Sequence, residues 1–244
     1  MKMAIQQMLE GKIAVVTGAS RGIGFAIARK LGELGCRVSI CSRDPQKLES
    51  AANELKRHGI NVFAMPADVT RPTEIDSFVR RTESSLGPIE IVVNNAGVGY
   101  FGPSHEASEA NWDQILDTNL KSVFLMTKAV APGLIQRRAG HIINIASLAG
   151  KNAFPGGGIY CASKWGLLGF TQCVAEDLRA YGIRVSAVCP GSVATEFSPQ
   201  GTHAGKDASK MLQPDDVAHA VAMLVTQAPQ SFISEVVMRP TQKP

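Results

Sequence analysis

What most constrains this chain is a repeated switch of hydrophobic period. Short apolar runs rich in β-branched residues alternate with longer stretches whose apolar residues recur three and four apart. Residues 12–17 (KIAVVT) read as a buried strand. Ile23, Ile27, Leu31 and Leu34 follow at helical spacing, and Gly35 stops that helix. Residues 37–42 (RVSICS) read as a second strand. Asp44 before Pro45 predicts an N-cap with proline at the first helical position, opening a helix to about residue 58. Further strands are predicted at 61–65, 89–94, 141–145, 184–188 and 234–238. Further helices are predicted around Ile75, Phe78, Val79 and Leu86, and over 112–138, 160–180 and 214–225. Strands separated by helices imply parallel βαβ units. A parallel sheet covered on both faces makes its strands near-continuous apolar runs, as these are. The expected architecture is α/β: a doubly wound parallel sheet with helices on both faces. One domain is expected over residues 1–244, with residues 1–10 as an N-terminal extension.

A chain of 244 residues is long enough for one large α/β domain. Lys and Arg number 25 against 21 Asp and Glu, and a net charge of +4 is too small to argue for a nucleic-acid partner. The pairs Arg80-Arg81 and Arg137-Arg138 read as solvated helix faces. Five cysteines, an odd number with no Cys-x-x-Cys spacing, suggest neither a disulfide framework nor a zinc site. Reduced thiols in the cytoplasm are the simplest account. The first nine residues carry one charge and no long apolar segment, so they do not read as a signal peptide. No stretch approaches the ~18 apolar residues of a membrane span. A soluble cytoplasmic protein with no metal is expected.

Ligands of open parallel sheets bind beyond the carboxyl ends of the strands, so the residues that follow each strand carry the functional argument. After the first strand comes Thr17-Gly18-Ala19-Ser20-Arg21-Gly22-Ile23-Gly24. Three glycines between a strand and a helix allow a sharp turn and a close approach of backbone to ligand. The free N–H groups and positive dipole end of the helix suit a pyrophosphate. The same residues contain Gly18-x-Ser20-x-Gly22, the spacing of a hydrolase nucleophile elbow. Against that reading, the first strand has no preceding loop to complete an oxyanion hole, and Gly24 has no role in an elbow. Asp68 follows the third strand, where it can accept from an adenine amino group or form a turn. Asn94-Asn95-Ala96-Gly97 follows the fourth, with side chains that hold a turn and small residues that admit a flat ligand.

Ser147 follows the fifth strand, and Tyr160 and Lys164 lie four apart on the next helix, on one face. A cation beside a phenol favours phenolate and is expected to lower the Tyr160 pKa from its usual value of about 10. Such a phenol suits proton transfer, and Ser147 can hydrogen-bond the same substrate oxygen.

Taken together these residues resemble the short-chain dehydrogenase/reductase family, in its compact form, over nearly all of the chain from Lys12 to Arg239. The ordered motifs are Thr17-Gly18-x-x-x-Gly22-x-Gly24, Asp68, Asn94-Asn95-Ala96-Gly97, Asn119, Ser147, Tyr160 with Lys164, then Pro190-Gly191 and Thr195. The resemblance implies a Rossmann-type fold, NADP(H) as cofactor and reduction of a carbonyl. It implies that Tyr160 exchanges the proton, Lys164 holds the nicotinamide ribose, Ser147 polarises the carbonyl and Asn119 holds the backbone and a water. It further implies cofactor contacts from Gly18, Ser20, Arg21, Gly22, Ile23, Gly24, Asn95, Ala96, Gly97, Pro190, Gly191, Val193 and Thr195, with Asp68 and Val69 on the adenine. At the end of the second strand, by similarity, Ser42 replaces the acidic residue of NAD-specific relatives. Arg43, with Arg21, offers charge to a 2′-phosphate. Within the family the chain is most similar to 3-oxoacyl-carrier-protein reductases and related carbonyl reductases. Its ending, Ile233-Ser234-Glu235-Val236-Val237-Met238-Arg239-Pro240-Thr241-Gln242, departs from their usual Val-Asp-Gly-Gly and resembles that of NADP-dependent dehydrogenases of serine and other 3-hydroxy acids. Residues 196–209, polar and Gly-containing, read as a flexible loop over the site, and its shortness leaves an open pocket for a small-molecule or acyl-thioester carbonyl substrate. The resemblance further implies a homotetramer (or homodimer) in which the helices over 112–138 and 160–180 pair; Phe124, Trp165 and Phe170 supply apolar bulk there, for that pairing or for core packing. A non-catalytic cofactor-binding regulator is the alternative from another class, and the presence of Asn119, Ser147, Tyr160 and Lys164 argues against it.

Overall fold

The structure is a computed structural model and describes residues 9–197 and 207–244. The first eight residues of the expected N-terminal extension, and residues 198–206 of the expected loop, lie outside the described residues. Seven parallel strands form one sheet: β1 (Ile13–Thr17), β2 (Arg37–Ser42), β3 (Val62–Pro66), β4 (Ile89–Asn94), β5 (Gly140–Ile145), β6 (Ile183–Pro190) and β7 (Glu235–Met238). Their spatial order is β3-β2-β1-β4-β5-β6-β7. The chain runs outward from β1 to β3, then crosses back to lay β4 on the other edge of β1. That reversal opens a crevice above β1 and β4, where such sheets bind ligands.

Alternate strand residues feed two cores. On one face Ala14, Val16, Val38, Ile40, Ile91 and Val93 pack against α1 (Gly22–Glu33), α2 (Pro45–Arg57) and α7 (Pro214–Val225). On the other, Ile13, Val15, Val92 and Ile142 pack against α3 (Pro72–Leu86), α5 (Ser122–Arg137) and α6 (Gly158–Arg179). Phe78 of α3 is fully buried there. At about 25 cal/mol per Å² of apolar area removed from water, these two layers supply most of the drive to fold. The expected N-cap is present: the Asp44 carboxylate accepts from the backbone N–H groups of Gln46 and Lys47, both at 3.1 Å.

The helix expected over residues 112–138 is two helices. α4 (Glu109–Leu116) begins earlier, behind a Ser108–Asn111 capping box, and a π-turn at Asp117–Lys121 separates it from α5. Such bulges recur at functional sites because they re-aim one side chain without ending the helix. Here the turn carries Asn119.

Candidate active site

A cleft of about 1300 Å³ lies over the carboxyl ends of the strands. Its floor begins with the glycine-rich turn. Gly18 has φ +64°, and a Cβ there would stand 2.8 Å from Ala96 Cα, so this position accepts only glycine. Asn95 braces the turn, donating from Nδ2 to the carbonyls of Thr17 at 3.0 Å and Gly18 at 3.2 Å. The Thr17 hydroxyl accepts in return from the Asn95 and Ala96 N–H groups, both at 3.0 Å. A Cβ on Gly24 would fall 2.5 Å from Asn95 Nδ2, so Gly24 serves the packing beneath the turn and does not line the cleft. α1 starts with no side-chain cap at Arg21, which leaves its first N–H groups available to an anion.

Of the residues expected at the site, Gly18, Ser20, Arg21, Gly22, Ile23, Ser42, Arg43, Asp68, Val69, Asn95, Ala96 and Gly97 line this cleft, as do Ser147, Tyr160, Lys164, Pro190, Gly191, Val193 and Thr195. The lining among the described residues contains no histidine, so the imidazole base of a Ser-His elbow does not accompany Ser20 there. Arg21 is ion-paired with Glu196 across the cleft mouth, an engagement that the sequence did not announce. Asp68 Oδ1 accepts from the backbone N–H and the hydroxyl of Thr70, at 2.9 and 2.8 Å. Burial is the largest single influence on that carboxyl and would raise its pKa. The Thr70 hydrogen bonds and the nearby Arg43 and Arg71 outweigh it and hold the pKa low.

Tyr160 and Lys164 project from α6 into the far wall. Tyr160 is 9% exposed, with Lys164 Nζ 5.8 Å from its ring centroid. Lys164 donates to the Ile145 carbonyl at 3.0 Å. The expected fall in the Tyr160 pKa does not occur. Burial pushes the phenol up to about 12, the neighbouring Cys161 adds to the rise, and a hydrogen bond with Ser147 opposes it. Burial also draws Lys164 down to about 8. The physical reason is that desolvation penalises both charged forms.

Asn119 stands behind the cleft rather than in its lining. Its Oδ1 accepts from Val98 N at 2.8 Å, and its Nδ2 donates to Val98 O at 2.9 Å and to Ser163 Oγ at 3.1 Å. Ser163 passes the chain on to the Tyr160 carbonyl at 2.7 Å. A second buried relay joins Asn94, Asn144 and Thr171 across β4, β5 and α6.

Sequence reasoning missed three aromatic side chains that line the substrate side: Phe101, Phe154 and Phe197. Phe101 follows β4 and Phe154 follows β5, so inspecting every loop at the carboxyl edge of the sheet would have found them.

Residues 12–204 match the short chain dehydrogenase family. The chain belongs to that family. This short chain dehydrogenase is 35% identical over 233 residues to SAR2567, an uncharacterized oxidoreductase of Staphylococcus aureus (strain MRSA252), covering 96% of this chain and 99% of that one. It is 33% identical over 243 residues to the glycine betaine reductase ATRR of Emericella nidulans, covering 97% of this chain but only 19% of that protein's length. Among solved structures, a metagenomic short-chain oxidoreductase in complex with NADP is 45% identical with a TM-score of 0.85, covering 97% of this chain and all of that one (100%). An actinorhodin polyketide ketoreductase variant with NADPH has a TM-score of 0.87 at 33% identity, over 93% and 95% of the two chains. A serine dehydrogenase complexed with NADP+ has a TM-score of 0.86 at 33% identity, over 93% and 94%. In this dehydrogenase, no described helix is long and apolar enough to cross a membrane.

Proposed function

We propose that the chain catalyses the reversible NADPH-linked reduction of a ketone to a secondary alcohol. The observation that carries this reading is the convergence of Ser147, Tyr160 and Lys164 on the cleft that also holds the uncapped, glycine-rich start of α1. The cradle at Gly18, Gly22 and the N-terminus of α1 fits a pyrophosphate. Ser42 and Arg43 would receive a 2′-phosphate, Asp68 and Val69 the adenine, and Pro190, Gly191, Val193 and Thr195 the nicotinamide. The relatives solved with NADP or NADPH support the same cofactor. When bound, NADPH is the source of the hydride that adds to the carbonyl carbon.

The chain's own residues supply the rest. Ser147 Oγ donates a hydrogen bond to the carbonyl oxygen. Tyr160 Oη gives that oxygen its proton, so hydride and proton together make the alcohol. A phenol held near 12 stays protonated throughout the neutral range, ready for the reductive direction. Lys164 would hold the ribose of the bound cofactor, Tyr160 would recover its proton from solvent, and Asn119 fixes the Val98 backbone and the Tyr160 turn of α6 through Ser163.

Ketoreductase relatives support a 3-oxoacyl thioester or related β-keto substrate. The Arg239-Pro240-Thr241 ending and the likeness to a serine dehydrogenase favour a second reading, oxidation of a 3-hydroxy acid. Absorbance of NADPH followed against 3-oxoacyl thioesters, simple ketones, serine and 3-hydroxypropionate tests the assignment. Consumption with ketones is expected. Tight NADPH binding with no turnover of any substrate would leave the regulator reading instead.

We further infer a cytoplasmic homotetramer. Trp165 and Phe124, 54% and 46% exposed on α6 and α5, would pair across a two-fold axis. Phe170 lies partly buried beneath, meeting Phe124 edge-on at 6.4 Å.

A further inference from the structure

The substrate side of the cleft is walled by aromatic rings. Phe101 lies 5.4 Å from the Tyr160 ring, centroid to centroid, at 60°. Phe197 lies 6.0 Å from the same ring at 53°. Phe154 extends the surface, 6.2 Å from Phe101 at 35°. The loops bearing these rings are tied together. Gly102 donates to the Gly156 carbonyl at 2.9 Å, joining the segment after β4 to the segment after β5. Gly99 sits between two of the rings: a Cβ there would fall 2.6 Å from Phe101 and 3.1 Å from Phe197. The absence of a side chain lets both converge over the phenol.

Phe101 and Phe154 are half-buried and Phe197 is 40% exposed, so each keeps surface open to the cleft. None of the three carries a donor or a charge. Most cations lining the cleft are engaged elsewhere: Arg21 by Glu196, Lys47 by Asp44, Lys164 by the Ile145 carbonyl. Arg43 lies near Asp68. Among the described residues that line the cleft Arg239 remains, and it follows β7 beside Gly191. A carboxylate set against these three rings would lose its hydration with no charged partner from the wall itself. A flat apolar group would meet ring faces and edges at favourable offset geometry.

We propose that Phe101, Phe154 and Phe197 form a specificity wall that selects ketones bearing an aryl or other flat apolar group beside the carbonyl over those bearing a carboxylate. The proposal rests on the NADPH-linked ketone reduction above and narrows its substrate class. It also weighs against small 3-hydroxy acids as the preferred substrates.

The test measures kcat/KM with NADPH for two pairs: acetophenone against butanone, and ethyl 3-oxobutanoate against 3-oxobutanoate. The full chain is expected to favour the first member of each pair by about tenfold or more, the scale of ~1.4 kcal/mol. Phe101→Leu and Phe154→Leu, which keep bulk and spare the fold, should reduce the aryl-to-alkyl ratio several-fold, and Phe197→Ala should do the same. Because each ratio is internal to one enzyme preparation, partial unfolding cannot mimic the effect. Equal use of both members of each pair, a preference for the free acid, or ratios unmoved in all three variants would overturn the wall while leaving ketone reduction intact. No turnover of any of the four ketones would overturn the underlying reading.

Discussion

Asn119 grips Val98 with both ends of its amide, accepting from the backbone nitrogen at 2.8 Å and donating to the carbonyl at 2.9 Å. The side chain is 1% exposed, so neither end has water to fall back on. Asn119→Asp keeps the acceptor, deletes the donor to Val98 and Ser163, and buries a charge. A loss of about 2–4 kcal/mol is expected, read as a lower urea midpoint. A midpoint equal to that of the parent chain would refute it.

Tyr160→Phe removes only the phenolic hydroxyl. Turnover should fall by roughly 10²–10⁴-fold, while NADPH affinity, followed by fluorescence titration, stays nearly intact. A variant keeping more than about a third of the parent kcat would assign the proton to another group.

Cofactor choice should favour NADPH over NADH by at least about a hundredfold in kcat/KM, since charge-assisted hydrogen bonds contribute roughly 1.5–3 kcal/mol each. Ser42→Asp with Arg43→Leu should narrow or invert the ratio. Glu196→Gln, by releasing Arg21 from its ion pair, should lower the KM for NADPH modestly, by about two- to fivefold. Equal use of both cofactors by the parent chain would remove the assignment.

The pH dependence of stability has a definite sign. Lys164, drawn down to about 8 from 10.5, binds its proton more weakly folded than unfolded, so stability rises as pH climbs from about 8 to 10.5. Buried thiols run the other way. Cys36 and Cys41 are pushed up to about 12, and Cys189 to about 11. Their contribution is fully present below the unfolded value of 9.0 and is lost as pH rises through their folded values; Tyr160, raised from 10.0 to about 12, joins them. The urea midpoint should therefore stay level from about pH 7.5 to 9 and drop steeply above about pH 10. Lys164→Met should be more stable than the parent at pH 7 by about 2 kcal/mol, the relieved desolvation less one hydrogen bond, and inactive. A destabilised Lys164→Met at neutral pH would contradict this account.

Light scattering at micromolar concentration should give the mass of four chains. Trp165→Glu, placing charge on an exposed apolar face, should reduce that mass. A monomeric parent would end the idea.

Much of the sheet was legible because strands covered on both faces must be apolar throughout, as VVT at Val15–Thr17 and IVVN at Ile91–Asn94 are. The cap at Asp44 was legible because its chemistry is local. The π-turn was not. A single extra residue in a helical turn leaves no compositional mark, and the backbone hydrogen bonding of Asp117–Lys121 reveals it. Likewise the four-residue spacing of Tyr160 and Lys164 gave their common face but not their burial, and burial reversed the expected direction of the phenol's shift. Phe101 and Phe154 sit in aperiodic loops, where hydrophobic pattern carries no information about what they face.

The reversal of strand order has a consequence for biosynthesis. β1 is flanked by β2 and β4, and all of α1, β2, α2, β3 and α3 lie in sequence between β1 and β4. Until β4 has emerged from the ribosome, one edge of β1 stays unpaired and open to other chains. The glycine-rich turn also lacks the Asn95 that will brace it. The glycine-rich turn is thus synthesised well before the strand that completes it, and the interval between is when a nascent chain of this design most needs a chaperone.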